Sequence, residues 1–153
     1  MNSIPYAAPD FSLQNSQGTT VSLSDFQERW LVVYFYPKDD TPGCTIEACS
    51  IRDTHAALTE HGIAVVGISQ DDMKSHANFS KKYSLNFDIL SDPNGEVIKA
   101  YGAWGKKMFG REGILRKTYI IDPDGQVVKV YGRVTPIGHG DQLLRDIQAL
   151  QKK

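Results

Sequence analysis

The 153-residue sequence predicts an α/β fold: a mixed central β-sheet flanked by helices, with a β-hairpin at the N-terminus. Three observations predict it. The runs "WLVVYFY" (30–36) and "IAVVGIS" (63–69) are continuous stretches of β-branched, aromatic and other apolar residues, the composition of strands buried on both faces. A stretch with helix signals at both ends separates them, so the three together read as a parallel β-α-β unit. Farther on, "KTYIIDPDGQVVKVYG" (117–132) has two extended runs around Asp-Pro-Asp-Gly, the pattern of an antiparallel hairpin.

The elements follow in order. "FSLQNSQGTTVSL" (11–23) carries short extended runs about the turn-forming "NSQG", giving the N-terminal hairpin, and "SDF" opens a brief turn with Ser24 as its cap. After the strand ending near residue 36, Pro37 begins a loop. "TPGCTIEACSIRDTHAALTEHG" (41–62) is then a helix: Thr41 suits the N-cap, Pro42 the first helical position and Gly62 the stop. The strand at 63–69 leads into a second helix over 70–84, capped near Asp71 or Asp72. "FDILSD" (87–92) reads as a short strand and "DPNGEVIKAYG" (92–102) as a short helix. The hairpin at 117–132 precedes a last helix over 139–153, with Leu143, Leu144, Ile147 and Leu150 at helical spacing. No repeat or Pro/Gly/Ser-rich linker divides the chain, so residues 1–153 read as a single domain. Parallel β-α-β first, then an antiparallel hairpin and a closing helix, is an order of the thioredoxin type, which speaks to fold and not to function.

Composition narrows the classes. At 41% hydrophobic and 23% charged, the chain is built like a soluble globular protein. Seventeen basic residues against eighteen acidic ones give a net charge of −1, so no phosphate-binding field exists and nucleic acid is not an expected partner. No window approaches a membrane span, and the N-terminus lacks a cationic region followed by a long apolar run. A soluble, unsecreted, cytoplasmic protein is the expectation.

The two cysteines are the informative residues. They stand five positions apart, at Cys44 and Cys49, in "PKDDTPGCTIEAC". With Thr41 as N-cap, Cys44 falls at the third helical position, where unpaired N–H groups and the helix dipole favour an anion. A thiol there is biased toward the thiolate, the reactive form. The plainer reading, a small buried apolar residue, is open to Cys44 and equally to Cys49. On an intact helix five residues are about 7.5 Å of rise and about 140° of rotation apart, so the two sulfurs face different ways. Joining them needs Cα atoms within about 6.8 Å and hence unwinding of the first turns. Such a disulfide belongs to a transient catalytic state in a reducing compartment: one thiolate is oxidised to a sulfenic acid, and the second thiol condenses with it.

"PKDDTPGCT" matches the pattern Pro-x-x-x-Thr-x-x-Cys, with Pro37, Thr41 and Cys44 in register. Together with the second cysteine, "YGAWGKK" and "GILRKTYIIDPDGQV", it resembles the peroxiredoxins, and among them the bacterioferritin comigratory protein or peroxiredoxin Q subfamily. The resemblance runs from "PDFSL" to the last helix. It implies a thioredoxin-like fold and a peroxidase that reduces hydrogen peroxide and alkyl hydroperoxides without a cofactor or metal. It further implies Cys44 as the peroxidatic cysteine, with Thr41 placing its hydroxyl against thiolate and peroxide, Pro37 shielding the site, and Arg116 approaching from a neighbouring strand. Cys49 resembles the resolving cysteine of members that form an intramolecular disulfide; other members carry that residue elsewhere or lack it. Recycling by thioredoxin or a similar dithiol donor, and a monomer, are what the subfamily suggests. Chemically these roles agree: attack on one peroxide oxygen loads negative charge on the departing one, and Arg116, Thr41 and the N–H groups of Gly43 and Cys44 are the candidate donors.

The remaining candidates have modest readings. Glu47, one turn after Cys44, either orients Arg116, donates a proton, or is a solvated carboxylate. Arg52 is expected to pair with Asp53 or another carboxylate. The histidines at 55, 61, 76 and 139 do not fall at metal-ligand spacing and read as surface or capping residues. Trp104, Met108 and Phe109 are core, the edge of the active-site pocket, or a docking surface. A different class of function, a redox-sensing module using the same cysteine pair without efficient turnover, is compatible with these residues. Steady-state peroxide reduction separates the two.

Overall fold

The computed structural model describes residues 3–152, the side chain of Met108 apart. Met1, Asn2 and Lys153, the ends of the expected domain, therefore lie outside the described residues. In chain order the elements are β1 (Tyr6–Ala7), β2 (Ser12–Asn15), β3 (Thr20–Ser22), a 3₁₀ turn (Leu23–Phe26), β4 (Trp30–Phe35), α1 (Pro42–Glu60), β5 (Ile63–Ser69) and α2 (Met73–Tyr83). There follow β6 (Asp88–Ser91), α3 (Glu96–Tyr101), β7 (Trp104–Lys106), a second 3₁₀ turn (Met108–Gly110), β8 (Glu112–Ile114), β9 (Lys117–Ile121), β10 (Gln126–Tyr131) and α4 (His139–Gln151).

Eight strands form one sheet in the order β1-β10-β9-β4-β5-β6-β2-β3. β4, β5 and β6 are parallel, and the pairs on either side of them are antiparallel, so the sheet is mixed as expected. The alternation of side chains along β4 divides the core into two layers. Val32 and Tyr34 face the layer of α1, α2 and α4, with Ala48, Ile51, Phe79, Leu143 and Ile147. Leu31, Val33 and Phe35 face the other layer, with Ile98 and Tyr101 of α3 and Ile114 of β8.

α1 and α4 cross closely because Gly140 has no side chain: a Cβ there would overlap the Ser50 carbonyl and lie 2.6 Å from Thr54 Oγ1. The Gly140 N–H instead donates to Ser50 Oγ at 2.9 Å. α1 ends where the sequence stops it, with His61 as C-cap and Gly62 beyond it at φ +73°.

Two expectations need correction, and three short strands come in addition. The cap of the first 3₁₀ turn is Ser22, which shares a reciprocal capping box with Asp25, and not Ser24. The first strand β1, which pairs with β10, and the separate β7-β8 hairpin were not foreseen; both are two or three residues per strand, too short to show a period. The histidines are not all at the surface: His76 and His139 are fully buried, their ring nitrogens satisfied by internal partners.

Candidate active site

Thr41 has extended backbone (φ −94°, ψ 155°) and is the N-cap of α1, with Pro42 next, so Cys44 occupies the third helical position. Thr41 makes no side-chain cap; its hydroxyl donates to the Lys38 carbonyl at 2.8 Å. The N–H groups at the start of α1 thus stay unclaimed by the capping residue, and the positive end of the helix dipole faces the same region. Pro37, half-buried, begins the loop from β4 to this turn.

Cys44 is 1% exposed and packs in the layer with Tyr34, Tyr36 and Ala48. Its Sγ accepts a hydrogen bond from Arg116 Nη2 at 3.3 Å. Arg116 sits in the short link between β8 and β9, and its other nitrogen, Nη1, donates to Glu47 Oε1 at 2.7 Å. Glu47 is on α1, one turn after Cys44, so the two residues present thiol and carboxyl to the two arms of one guanidinium. The solvated reading of Glu47 is overturned: its side chain is fully buried. Gly43 lies close to the guanidinium, where a Cβ would stand 3.0 Å from Nη2.

Burial pushes the Glu47 carboxyl up to about 7, against the pull of Arg116 in the opposite direction. For Arg116, burial opposes the charge, but Cys44 and Glu47 outweigh it and hold the guanidinium above its ordinary value. The site therefore keeps one permanent cation beside the sulfur.

Cys49 is half-buried on the same unbroken helix, and both thiols are free. By helix geometry the two point about 140° apart. Arg52 pairs with Asp53, as expected, at 2.9 Å, and also donates to the Tyr83 carbonyl at 2.7 Å. Trp104 is half-buried against the α3 layer, whereas Phe109 is exposed at the tip of the β7-β8 hairpin; Met108, whose side chain is not described, lies beside it.

The loop before α1 is pinned by residues that sequence reasoning did not single out. Asp39 is buried and accepts from Tyr36 Oη at 2.6 Å and Ser75 Oγ at 2.8 Å, while His76 Nδ1 stands 2.7 Å from its Oδ2. The Asp39 N–H donates to Asp71 Oδ2 at 2.8 Å. Asp39, Asp71 and His76 come within 4.8 Å of one another, a spacing that could suit a metal, yet each is already engaged by hydrogen bonds within the protein. Asp40 is held by Lys82 at 2.8 Å and by the Tyr83 hydroxyl at 2.7 Å. No sequence signal marks Asp39 apart from its neighbour Asp40; only the return of α2 against the loop distinguishes them.

A family model described as the AhpC/TSA family matches residues 4–130. The chain is 39% identical over 149 residues to peroxiredoxin Bcp of Bacillus subtilis, covering 95% of each chain. Among solved structures it is similar to the bacterioferritin comigratory protein of Xanthomonas campestris, studied for its alkyl peroxide reduction activity, with a TM-score of 0.86 and 37% identity over 91% of this chain and 90% of that one. It is also similar to a PrxQ mutant of Xylella fastidiosa, with a TM-score of 0.90 and 30% identity over 98% of this chain and 99% of that one. Among the described residues, no helix is long and apolar enough to cross a membrane.

Proposed function

Because the chain belongs to the AhpC/TSA family and is a thiol peroxidase of the Bcp and peroxiredoxin Q kind, we propose that Cys44 is the sulfur that attacks peroxide and Cys49 the thiol that resolves it. The observation that carries this assignment is the 3.3 Å hydrogen bond from Arg116 Nη2 to Cys44 Sγ at the N-terminal turn of α1. Helix terminus and guanidinium act together: both place positive charge beside the sulfur, where the reaction develops negative charge.

The reaction is then an in-line displacement. Cys44 sulfur forms a bond to one peroxide oxygen, the O–O bond breaks, and its electron pair leaves on the other oxygen, which takes a proton to become water or an alcohol. Sulfur is oxidised to sulfenic acid. Arg116, held by Glu47, and the N–H groups of Gly43 and Cys44 are the donors that meet the developing charge; the Thr41 hydroxyl, whose proton goes to the Lys38 carbonyl, is left with lone pairs to accept from the peroxide at the same turn. Pro37 lines the approach and limits water. Cys49 next attacks the sulfenic sulfur; an S–S bond forms, and hydroxide leaves with a proton as water. For that step the start of α1 must unwind, because the folded helix keeps the sulfurs apart. A dithiol donor, for which thioredoxin is the natural candidate, returns both thiols by exchange. Since both cysteines lie in one chain, a monomer suffices, and a reducing, cytoplasmic setting suits the cycle.

The test is steady-state peroxide consumption in a reaction coupled to thioredoxin and its reductase. Wild type should turn over and Cys44→Ser, folded as judged by circular dichroism, should not. Undiminished turnover by Cys44→Ser would overturn the assignment.

A further inference from the structure

Glu47 leaves an imbalance in hydrogen bonding. Its Oε1 is bonded to Arg116, but Oε2, fully buried, has no hydrogen-bond partner among the described residues. A charged oxygen left unpaired in such a place is costly, and the cost falls away if a proton sits on it or is brought to it. The group facing Oε2 is Nε2 of His139, 3.9 Å away. His139 opens α4 and is 1% exposed. Its Nδ1 lies 2.9 Å from Gln142 Oε1, its Nε2 lies 2.8 Å from Thr118 Oγ1, and the Tyr131 ring stands edge-on at 5.4 Å. With Nδ1–H given to Gln142, Nε2 of the neutral ring accepts from the Thr118 hydroxyl, and any second proton on the ring must sit on Nε2, toward Oε2.

We propose that His139 is a positioning residue of the peroxidase site: it and Glu47, whose Nε2 and Oε2 stand 3.9 Å apart without a hydrogen bond between them, carry one titrating proton as a pair, on Oε2 or on Nε2, and so set the charge that Arg116 leans on. The proposal rests on the peroxidase reading only in giving Arg116 its role at Cys44. With the proton in place, the group of Glu47, His139, Arg116 and the Cys44 thiolate is neutral overall. Without it, that group carries one negative charge, and the carboxylate competes with thiolate and departing oxygen for the same guanidinium. Loss of the shared proton therefore weakens catalysis per thiolate.

Several other groups face the pair. Arg116 opposes the extra proton, while Cys44 on the same helix and Asp146 on α4 favour it; Asp146 also accepts from the Tyr131 hydroxyl at 2.6 Å. Tyr34, from β4, and Tyr131, from β10, are kept neutral by burial first of all. Burial, the largest cause for each, raises the Glu47 carboxyl to about 7 and lowers His139 from its ordinary value, so the pair's proton rests mainly on Oε2 and the His139 ring senses its loss. Two such groups lose protons as a pair with shared midpoints.

The test is a titration of reduced wild-type protein by nuclear magnetic resonance, following the Glu47 carboxyl carbon and the His139 ring together. The expected result is a step at one common midpoint in both signals, absent from His139 in Glu47→Gln. The kinetic readout is the second-order rate of thiol loss with hydrogen peroxide, divided by the thiolate fraction. In wild type it should fall by about tenfold across that midpoint, the scale of one charge changed within several ångströms in a partly buried site. In His139→Gln the falling limb should disappear or move by about a pH unit or more. Independent midpoints in wild type, or an unchanged limb in His139→Gln, would overturn the proposal. The resonance experiment needs neither peroxide nor a variant, so it stands even if His139→Gln does not fold or Cys44 proves not to be the nucleophile.

Discussion

Replacing Glu47 by Gln should change how stability depends on pH, and the size of the change follows from the burial of its carboxyl. The group moves from an ordinary 4.5 to about 7 on folding. Between those values the folded protein keeps a proton that the unfolded chain gives up. Stability contributed by the protonated carboxyl is thus complete below about pH 4.5, declines as pH rises, and is gone once pH passes the folded value. At about 1.4 kcal/mol per pH unit, the loss across the interval is on the order of 3 kcal/mol. Glu47→Gln keeps the shape but cannot ionise. Urea denaturation of both proteins at several pH values between about 4.5 and 8 gives the measurement, because effects common to both cancel in the difference. Wild type should lose stability relative to Glu47→Gln as pH rises, and the step reports Glu47 together with any proton it shares with His139. Parallel pH profiles would refute the reasoning; they would mean that Arg116 keeps the carboxyl ionised throughout, outweighing its burial.

Intact-mass analysis after one equivalent of hydrogen peroxide should show reduced wild type losing two hydrogens and both thiols, whereas Cys49→Ser should gain one oxygen. Loss of both thiols as an intermolecular dimer would instead count against resolution within one chain. Arg116→Met should lower the second-order rate with peroxide by about 10²–10³, the usual effect of removing one preorganised donor, with little change in far-ultraviolet circular dichroism; a rate within a few-fold of wild type would remove Arg116 from the site. Gly140→Ala should destabilise the protein by about 1–3 kcal/mol, because the added methyl meets the Ser50 carbonyl on α1 and the helices must part; thermal unfolding measures it, and an unchanged midpoint would show that the crossing is loose.

The central sheet was legible because its strands, β4 and β5, are long and uniformly apolar, and α1 because Thr41, Pro42 and Gly62 mark its ends. The final helix was legible from the spacing of Leu143 and Ile147. What was not legible had one of two causes. β1 and the β7-β8 strands are two or three residues long, so they exist by pairing and not by pattern. The candidate site divides the same way. Cys44, Thr41 and Cys49 share one local motif, and Arg116 was found through the family resemblance. Glu47 was seen, but not its burial, because α4 covers it from the far end of the chain. His139 and His76 looked like ordinary polar residues, since nothing local says that a helix start or a returning helix will be buried against the loop or the carboxyl.

The pinning of α1 has a geometric consequence. Upstream, Asp39 and Asp40 are tied to α2; downstream, Arg52 is tied to the carbonyl of Tyr83, and Asn86 donates back to the Arg52 carbonyl at 3.2 Å. One helix thus acts as a splint across both ends of the segment that holds the two cysteines. Any rearrangement that joins Cys44 to Cys49 must fit between fixed endpoints, so the released stretch can slacken but not swing away. These ties predict that the outline of the molecule beyond that stretch stays the same when the sulfurs join, so that the chain refolds onto an unmoved template when they part.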